Sequence, residues 1–129
     1  MAPAEVAVGD KGKIEASVII VNYNGLNELK VCLRSLETDK NGRYDVFVVD
    51  NGSTDGSATY VRENHPDVEV IDNEGNLGFG HACNVGARRA RGRYLAFLNA
   101  DTVVEPGWLD ALVAALRDHP EAALATSKI

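Results

Sequence analysis

Short apolar runs recur along this chain, each broken by a polar cluster and then followed by apolar residues at helical spacing. An unbroken apolar run suits a strand buried on both faces, whereas i, i+3, i+4 spacing suits a helix laid on a sheet. Ser17 to Asn22 predicts a first strand, ended by Tyr23-Asn24-Gly25. Leu26, Leu29, Leu33 and Leu36 then predict a helix that stops in the polar run from Glu37 to Gly42. Val46 to Val49 predicts a second strand, closed by Asp50-Asn51-Gly52-Ser53-Thr54-Asp55-Gly56-Ser57, a cluster of turn and helix N-cap residues. A short helix runs from Ser57 to about Asn64, and Pro66 bars its continuation. Val68 to Ile71 predicts the third strand, after which Phe79, Ala82, Cys83, Gly86, Ala87 and Ala90 form a small-residue helical face that lets a backbone lie close to a sheet. Arg93 to Leu98 is a continuous run that predicts a central fourth strand buried on both faces. Pro106 takes a first-turn position, and Trp108, Leu109, Leu112, Val113 and Leu116 mark the next helix. Ala122 to Ser127 is a fifth strand candidate, a poor one because Ala disfavours strands. Strands alternating with helices predict an α/β domain with right-handed crossovers and a mostly parallel sheet.

Composition narrows the class. A chain of 129 residues is one domain, and 45% hydrophobic with 25% charged residues is an ordinary globular balance. Its longest apolar runs are too short to cross a bilayer. The formal net charge of -6 argues against a nucleic-acid partner, since no basic stripe offsets phosphate repulsion. Arg88, Arg89, Arg91 and Arg93 form a local group that would meet a phosphate or a membrane surface, or simply flank a helix end and a strand start. Cys32 and Cys83, far apart and in helical patterns, read as buried thiols in a reducing, cytoplasmic compartment. Residues 1–15 lack the apolar core of a signal peptide and read as a flexible leader to a domain spanning 16–129.

The chemistry lies at the strand ends. Asn22-Tyr23-Asn24, Asp50-Asn51-Gly52-Ser53 and Asn99-Ala100-Asp101 each follow a strand, and in a parallel sheet those ends share one edge, where open α/β sheets bind ligands. Asn99 and Asp101, two apart, can leave the same side of an extended segment, and their oxygens suit a hard divalent cation. The same residue types serve ordinary turns, so this segment alone leaves both readings open. Asp50 is placed to accept from a ribose hydroxyl or a nucleobase N–H, or to cap its own turn.

Several rivals fit poorly. The first strand leads into Asn-Tyr-Asn-Gly rather than a dinucleotide glycine fingerprint, and Gly78-Phe79-Gly80 supplies only two of its glycines, after the third strand. There is no G-x-x-x-x-G-K-[ST], and Gly52 and Thr54 occupy ligand places in what would be a calcium loop. His65, His81 and His119 have no metal spacing; the first and last precede prolines, while His81 faces the crevice or the surface at a helix start.

Taken together, Val18 to Asn24, Val48 to Ser57, Asn73 to Gly80, Cys83-Asn84-Val85-Gly86 and Leu98 to Thr102 resemble the donor-binding half of family 2 glycosyltransferases, nearest the bacterial rhamnosyltransferase-like branch. The resemblance implies the GT-A fold, a Rossmann-like three-layer sandwich, with a nucleotide-diphosphate sugar donor and a divalent cation, Mg or Mn. It puts the nucleoside against Asn22 and Asn24, gives Asp50 to the base or ribose, and lines the donor pocket from Asn76 through Gly78 to Asn84. Asn99-Ala100-Asp101 looks like the family's D-x-D with Asn in first place, leaving Asp101 as the principal metal ligand. It implies transfer to a cell-envelope saccharide or lipid-linked acceptor, in the cytoplasm or peripherally on the cytoplasmic face of the membrane. Family members continue beyond the part resembling residues 122–129, and that later half supplies the acceptor contacts and the base. No catalytic residue is therefore assigned, and self-association is one way to hide the apolar surface around Trp108 and Leu112. The competing class is a non-catalytic nucleotide-binding or interaction module derived from the same fold.

Overall fold

The computed structural model describes residues 14–39 and 42–126. Eight main elements alternate: β1 (Ala16–Asn22), α1 (Leu26–Leu36), β2 (Tyr44–Asp50), α2 (Ser57–Asn64), β3 (Glu69–Asp72), α3 (Phe79–Arg89), β4 (Tyr94–Asn99) and α4 (Trp108–Asp118). The strands form one parallel sheet in the order β3-β2-β1-β4, with Asn22 opposite Asp50, and Val21 opposite Asn99. The strand carrying the β-branched run, β1, is thus interior, and every residue of it is buried.

Side-chain alternation along β1 divides the core in two. Val18 and Ile20 pack with Leu29, Cys32, Leu33 and Leu36 of α1, Val61 of α2 and Leu109 and Val113 of α4. Ile19 and Val21 turn the other way, to Phe47 and Val49 of β2 and to Ala82 and Cys83 of α3. This gives three layers, as expected for an α/β sandwich. The small-residue face of α3 works as its sequence predicts. A Cβ on Gly86 would sit 2.6 Å from Ile19 Cγ2 and 3.1 Å from Val49 Cγ2, so the helix rides on β1 and β2 at a distance only glycine permits. Phe79 does not belong to that face, being about half exposed.

Two expectations about the later chain are corrected. β4 is an edge strand, not a central one buried on both faces: Leu95 and Phe97 are 43% and 45% exposed, while Leu98 is buried. Phe97 pairs with Ile19 and so shares the α3 face of the sheet, but α3 packs over β1 and β2 and leaves β4 uncovered there. An apolar run reports that both faces are apolar, not that both are covered. The described part of the fifth strand candidate, Ala122 to Thr126, forms no strand, and Leu124 is 82% exposed; Ser127 lies outside the described residues.

The chain stop after α1 has a function that its polar composition hid. Asp39, in a single 3₁₀ turn over Glu37–Asp39, is buried and accepts from the N–H groups of Gly107 and Leu109 at 2.8 and 3.4 Å, tying the start of α4 to the end of α1. Of residues 1–15, only Ile14 and Glu15 are described. The Glu15 backbone donates to Arg43 O at 2.7 Å and accepts from Tyr94 N–H at 3.0 Å, and its carboxylate pairs with Arg43 and Arg117, each at 3.2 Å.

Candidate functional site

Because all four strands are parallel, β1 to β4 end at one edge in Asn22, Asp50, Asp72 and Asn99. Each helix that follows a strand also starts there, so several positive dipole ends oppose the acidic charge of the chain at this edge. Between the β1 and β4 ends lies an open crevice of about 360 Å³ lined by Asn22, Tyr23, Asn24, Gly25, Glu28, Asn99, Ala100 and Asp101. Four of the residues singled out from sequence, Asn22, Asn24, Asn99 and Asp101, therefore converge. Asp50, Asn76, Gly78 and Asn84 do not line this crevice.

The route by which Asn99 and Asp101 meet differs from the extended segment anticipated. The strand ends at Asn99, Ala100 and Asp101 form a turn closed by Thr102 N–H donating to Asn99 O at 3.1 Å, and both polar side chains are exposed on it. Glu28, on the first turn of α1, adds a second carboxylate that no motif in the sequence singles out.

Asp50 is 2% exposed, and its carboxylate is engaged inside the protein. Its Oδ1 accepts from Asn22 Nδ2 at 2.9 Å and from the Ser53 hydroxyl at 2.8 Å, while Oδ2 accepts from Ser53 N–H at 2.9 Å. A carboxylate offers about four lone-pair sites, so one is left on Oδ2. Asn22 is held in turn: with Nδ2 committed to Asp50 and, at 3.3 Å, to Ser53 Oγ, the amide cannot be reversed without setting its oxygen against a carboxylate. Its Oδ1 is consequently a buried acceptor with no protein partner, beneath Gly25.

The loops after β1 and β2 are bonded to one another. Asn24 N–H donates to Ser53 Oγ and Thr54 N–H donates to Asn24 Oδ1, both at 2.8 Å, with Asn24 in a left-handed conformation at φ 50°. Asp55 reaches further, accepting from Leu26 N–H at 3.0 Å on one oxygen and from Ser57 N–H at 3.0 Å and the Ser57 hydroxyl on the other. Partial burial pushes the Asp55 pKa up, but the bonds from Ser57 and Leu26 outweigh it and hold the carboxyl below its usual range. Its contribution to stability is therefore full at neutral pH and is lost only as pH falls through that lowered value.

On the far side of β2, Asn51 Nδ2 donates to Gly78 O at 3.3 Å and Asn73 Nδ2 donates to Asn51 Oδ1 at 2.8 Å. Gly52, at φ +85°, lies against Gly75 so closely that a Cβ would be 2.9 Å from Gly75 Cα. Asn76 Oδ1 accepts from Gly78 N–H at 3.0 Å, so Asn76 shapes the entry to α3, and Asn84 is exposed on that helix. These residues form a second polar wall beside the β2 end.

A larger cavity of about 710 Å³ lies elsewhere, between β4 and α4, with Phe97, Val103, Trp108, Leu112 and Leu124 among its lining. It is mostly apolar, in contrast to the smaller polar crevice at the strand ends. Among the described residues no group of three or more His, Cys, Asp or Glu side chains is poised to hold a metal. The oxygens present fit a hard cation that brings part of its coordination with a diphosphate, since magnesium-type sites use one or two carboxylates plus substrate phosphates. Burial, and after it the Asp101 charge, push the Cys32 thiol up to about 11, so it stays protonated and inert beneath this site.

Comparison with known proteins agrees with this fold. The sequence model of glycosyl transferase family 2 matches residues 17–128. The chain is 36% identical over 111 residues to the uncharacterized glycosyltransferase YibD of Escherichia coli K12, a match covering 83% of this chain and 32% of that protein. It is 32% identical over 105 residues to glycosyltransferase AglE of Haloferax volcanii, covering 78% and 34% respectively. Among solved structures, S. aureus TarS 1-349 in complex with UDP-GlcNAc superposes with a TM-score of 0.75 at 28% identity, over 83% of this chain and 32% of that one. The mannosyltransferase PcManGT of Pyrobaculum calidifontis, in complex with GDP-Man and Mn2+, gives 0.76 at 28% identity over 92% and 36%. The chain thus spans about a third of the length of these proteins.

Proposed function

This chain belongs to glycosyl transferase family 2, and from that premise we propose that its crevice binds the diphosphate and nucleoside of a sugar donor together with a divalent cation, Mg or Mn, for sugar transfer to a cell-envelope saccharide or lipid-linked acceptor. The observation that carries the reading is the meeting of Asn22, Asn24, Asn99 and Asp101, from two strands far apart in sequence, in one polar crevice at the sheet edge where such folds bind ligands. The nucleotide complexes of TarS and PcManGT, of matching fold, support the donor class.

In this reading Asp101 is the principal cation ligand, with the Asn99 amide beside it. When bound, the cation offsets repulsion between the crevice carboxylates and the diphosphate and steadies the departing diphosphate. Asn22 and Asn24 face the nucleoside, Asn22 through an acceptor that the protein leaves unmet. Asp50 holds Asn22 and Ser53 in place and offers its remaining lone pair to the base or ribose, and Asn76, Gly78 and Asn84 border the donor on the α3 side. A cytoplasmic setting, free or peripheral to the membrane, is supported by two free buried cysteines, Cys32 and Cys83. No helix among the described residues is long and apolar enough to cross a membrane.

Calorimetric titration with a panel of nucleoside diphosphates, with manganese and with a chelator in its place, tests this. We expect cation-dependent binding of at least one nucleotide; the absence of binding across the panel would overturn the proposal. Asp50→Ala is expected to weaken nucleoside diphosphate binding by roughly 1.5–3 kcal/mol, the scale of a hydrogen bond to a charged group. It should also lower the melting temperature, because Asn22 and Ser53 lose their acceptor. An unchanged dissociation constant would remove Asp50 from the binding site.

A further inference from the structure

Helix α1, which starts at the crevice, and α2, which follows the neighbouring strand β2, each begin after a glycine and have no side chain of their own capping residue to receive the first N–H groups. Helix starts ordinarily take an Asn, Asp, Ser or Thr at that place, because the first N–H groups have no intrahelical partner. Here one carboxylate stands in for two missing caps. Asp55 Oδ2 accepts from Leu26 N–H, the first residue of α1, at 3.0 Å, and Asp55 Oδ1 accepts from Ser57 N–H, the first residue of α2, at 3.0 Å. A negative charge is favoured at each N-terminus by the helix dipole, so the same group is stabilised twice.

The geometry points to Asp55 as a positioning residue for nucleotide binding, acting through Leu26 to set the wall of the crevice formed by Asn24, Gly25 and Glu28. That wall and the opposite one, Asn99 to Asp101, belong to elements separated by the width of the β1–β4 pair, so their spacing depends on where α1 begins. The remaining bonds between the two loops, those of Ser53 and Thr54 with Asn24, hold the loop tip but do not reach the helix. The Asp55 bond ties the first N–H of α1, in the turn that carries Glu28, to the β2 side of the site, alongside the core packing of Leu29 with Val48 and Val61. The inference rests on the crevice being the nucleotide site.

The test compares four forms of the chain, each measured well below its own melting temperature, by titration with UDP and GDP in the presence of manganese. Asp55→Asn has the same shape but only one acceptor oxygen, and its NH₂ group opposes an N–H on the other side, so one of the two helix links must break. We expect its nucleotide affinity to fall about tenfold or more, the factor set by one charged hydrogen bond. Leu26→Pro removes the same link from the other end while leaving Asp55 intact, since proline is tolerated at the first helical position. It should weaken binding to a similar degree, which keeps the inference testable if Asp55→Asn folds poorly. Ser57→Ala deletes the hydroxyl bond to Asp55 and leaves the link to Leu26; it should lower the melting temperature without changing affinity. Parent-like affinity in both Asp55→Asn and Leu26→Pro would overturn the inference, as would a loss in Ser57→Ala equal to theirs, which would reduce Asp55 to a cap of α2. If the parent chain binds neither nucleotide, the fault lies in the nucleotide reading, and the role of Asp55 falls with it.

Discussion

Asp101→Asn is expected to abolish manganese-dependent nucleotide binding while leaving the melting temperature nearly unchanged. The two expectations come from the same placement. Asp101 is exposed on a turn past the end of β4, so changing its charge disturbs no buried packing. In the proposed reading its value is electrostatic: a cation held there would offset repulsion between the crevice carboxylates and a diphosphate, and the crevice offers few full charges to hold one. Asn22, Asn24 and Asn99 contribute neutral amides, and the remaining carboxylate, Glu28, stands on another element. A hard cation that takes much of its coordination from phosphate depends steeply on the protein carboxylate it has. Calorimetry of parent and variant with UDP and GDP, with and without manganese, reads the result. Equal cation-dependent binding by the two would move the metal site away from Asp101.

The second expected result is larger still: the 129-residue chain, purified alone, should bind nucleotide yet transfer sugar at close to the background rate. In the proposed reading the crevice residues bind and orient a donor, and none of them matches the base that would deprotonate an acceptor hydroxyl. General-base catalysis is typically worth ~10²–10⁴-fold, and orientation of the second reactant can be worth more, so a chain supplying neither retains little of the acceleration. The open edge of β4 adds a physical consequence. Among the described residues β4 has no strand on its outer side, and Leu95 and Phe97 are exposed there, a combination that favours association with another strand. Released diphosphate, followed with sugar nucleotides, manganese and a mixed acceptor pool, measures the first point, and sedimentation measures the second. Robust acceptor-dependent turnover by a monomer would show that the catalytic machinery lies within these residues and has been misplaced. It would also decide against a purely binding role, whereas nucleotide binding with no turnover is what both a donor-binding portion and a non-catalytic module would show.

What the amino-acid order determined by itself is the succession of elements and the identity of the strand-end residues. Seventeen to twenty-two reads as a buried strand because β-branched side chains follow one another without a polar break, and it is one, with every residue of β1 covered. Leu29, Leu33 and Leu36 recur at helical spacing and meet the sheet, and Gly86 sits in a small-residue face because the α3 backbone runs against Ile19. Those are local patterns, and local patterns survive in sequence. Asn22, Asn24, Asn99 and Asp101 were legible as candidates for the same reason: in a parallel sheet, the residue after each strand is sent to one edge.

Tertiary structure decided everything that depends on what stands opposite. Whether β4 is central or at the edge cannot be read from Tyr94 to Leu98, because an apolar face looks the same in sequence whether or not another element covers it. Glu28 resembles any exposed helix carboxylate until β4 is placed beside β1 and brings Asn99 and Asp101 to its wall of the crevice. Asp39 and Asp55 look like turn residues, and they are, but they also accept N–H groups of helices 70 and 29 residues away. Asp50 was expected at a ligand, and the fold gives its carboxylate a further task that the sequence did not show, holding Asn22 and Ser53. A carboxylate's partners are chosen by distance in space and by which donors remain unsatisfied after the helices and sheet have formed, and neither quantity is written along the chain.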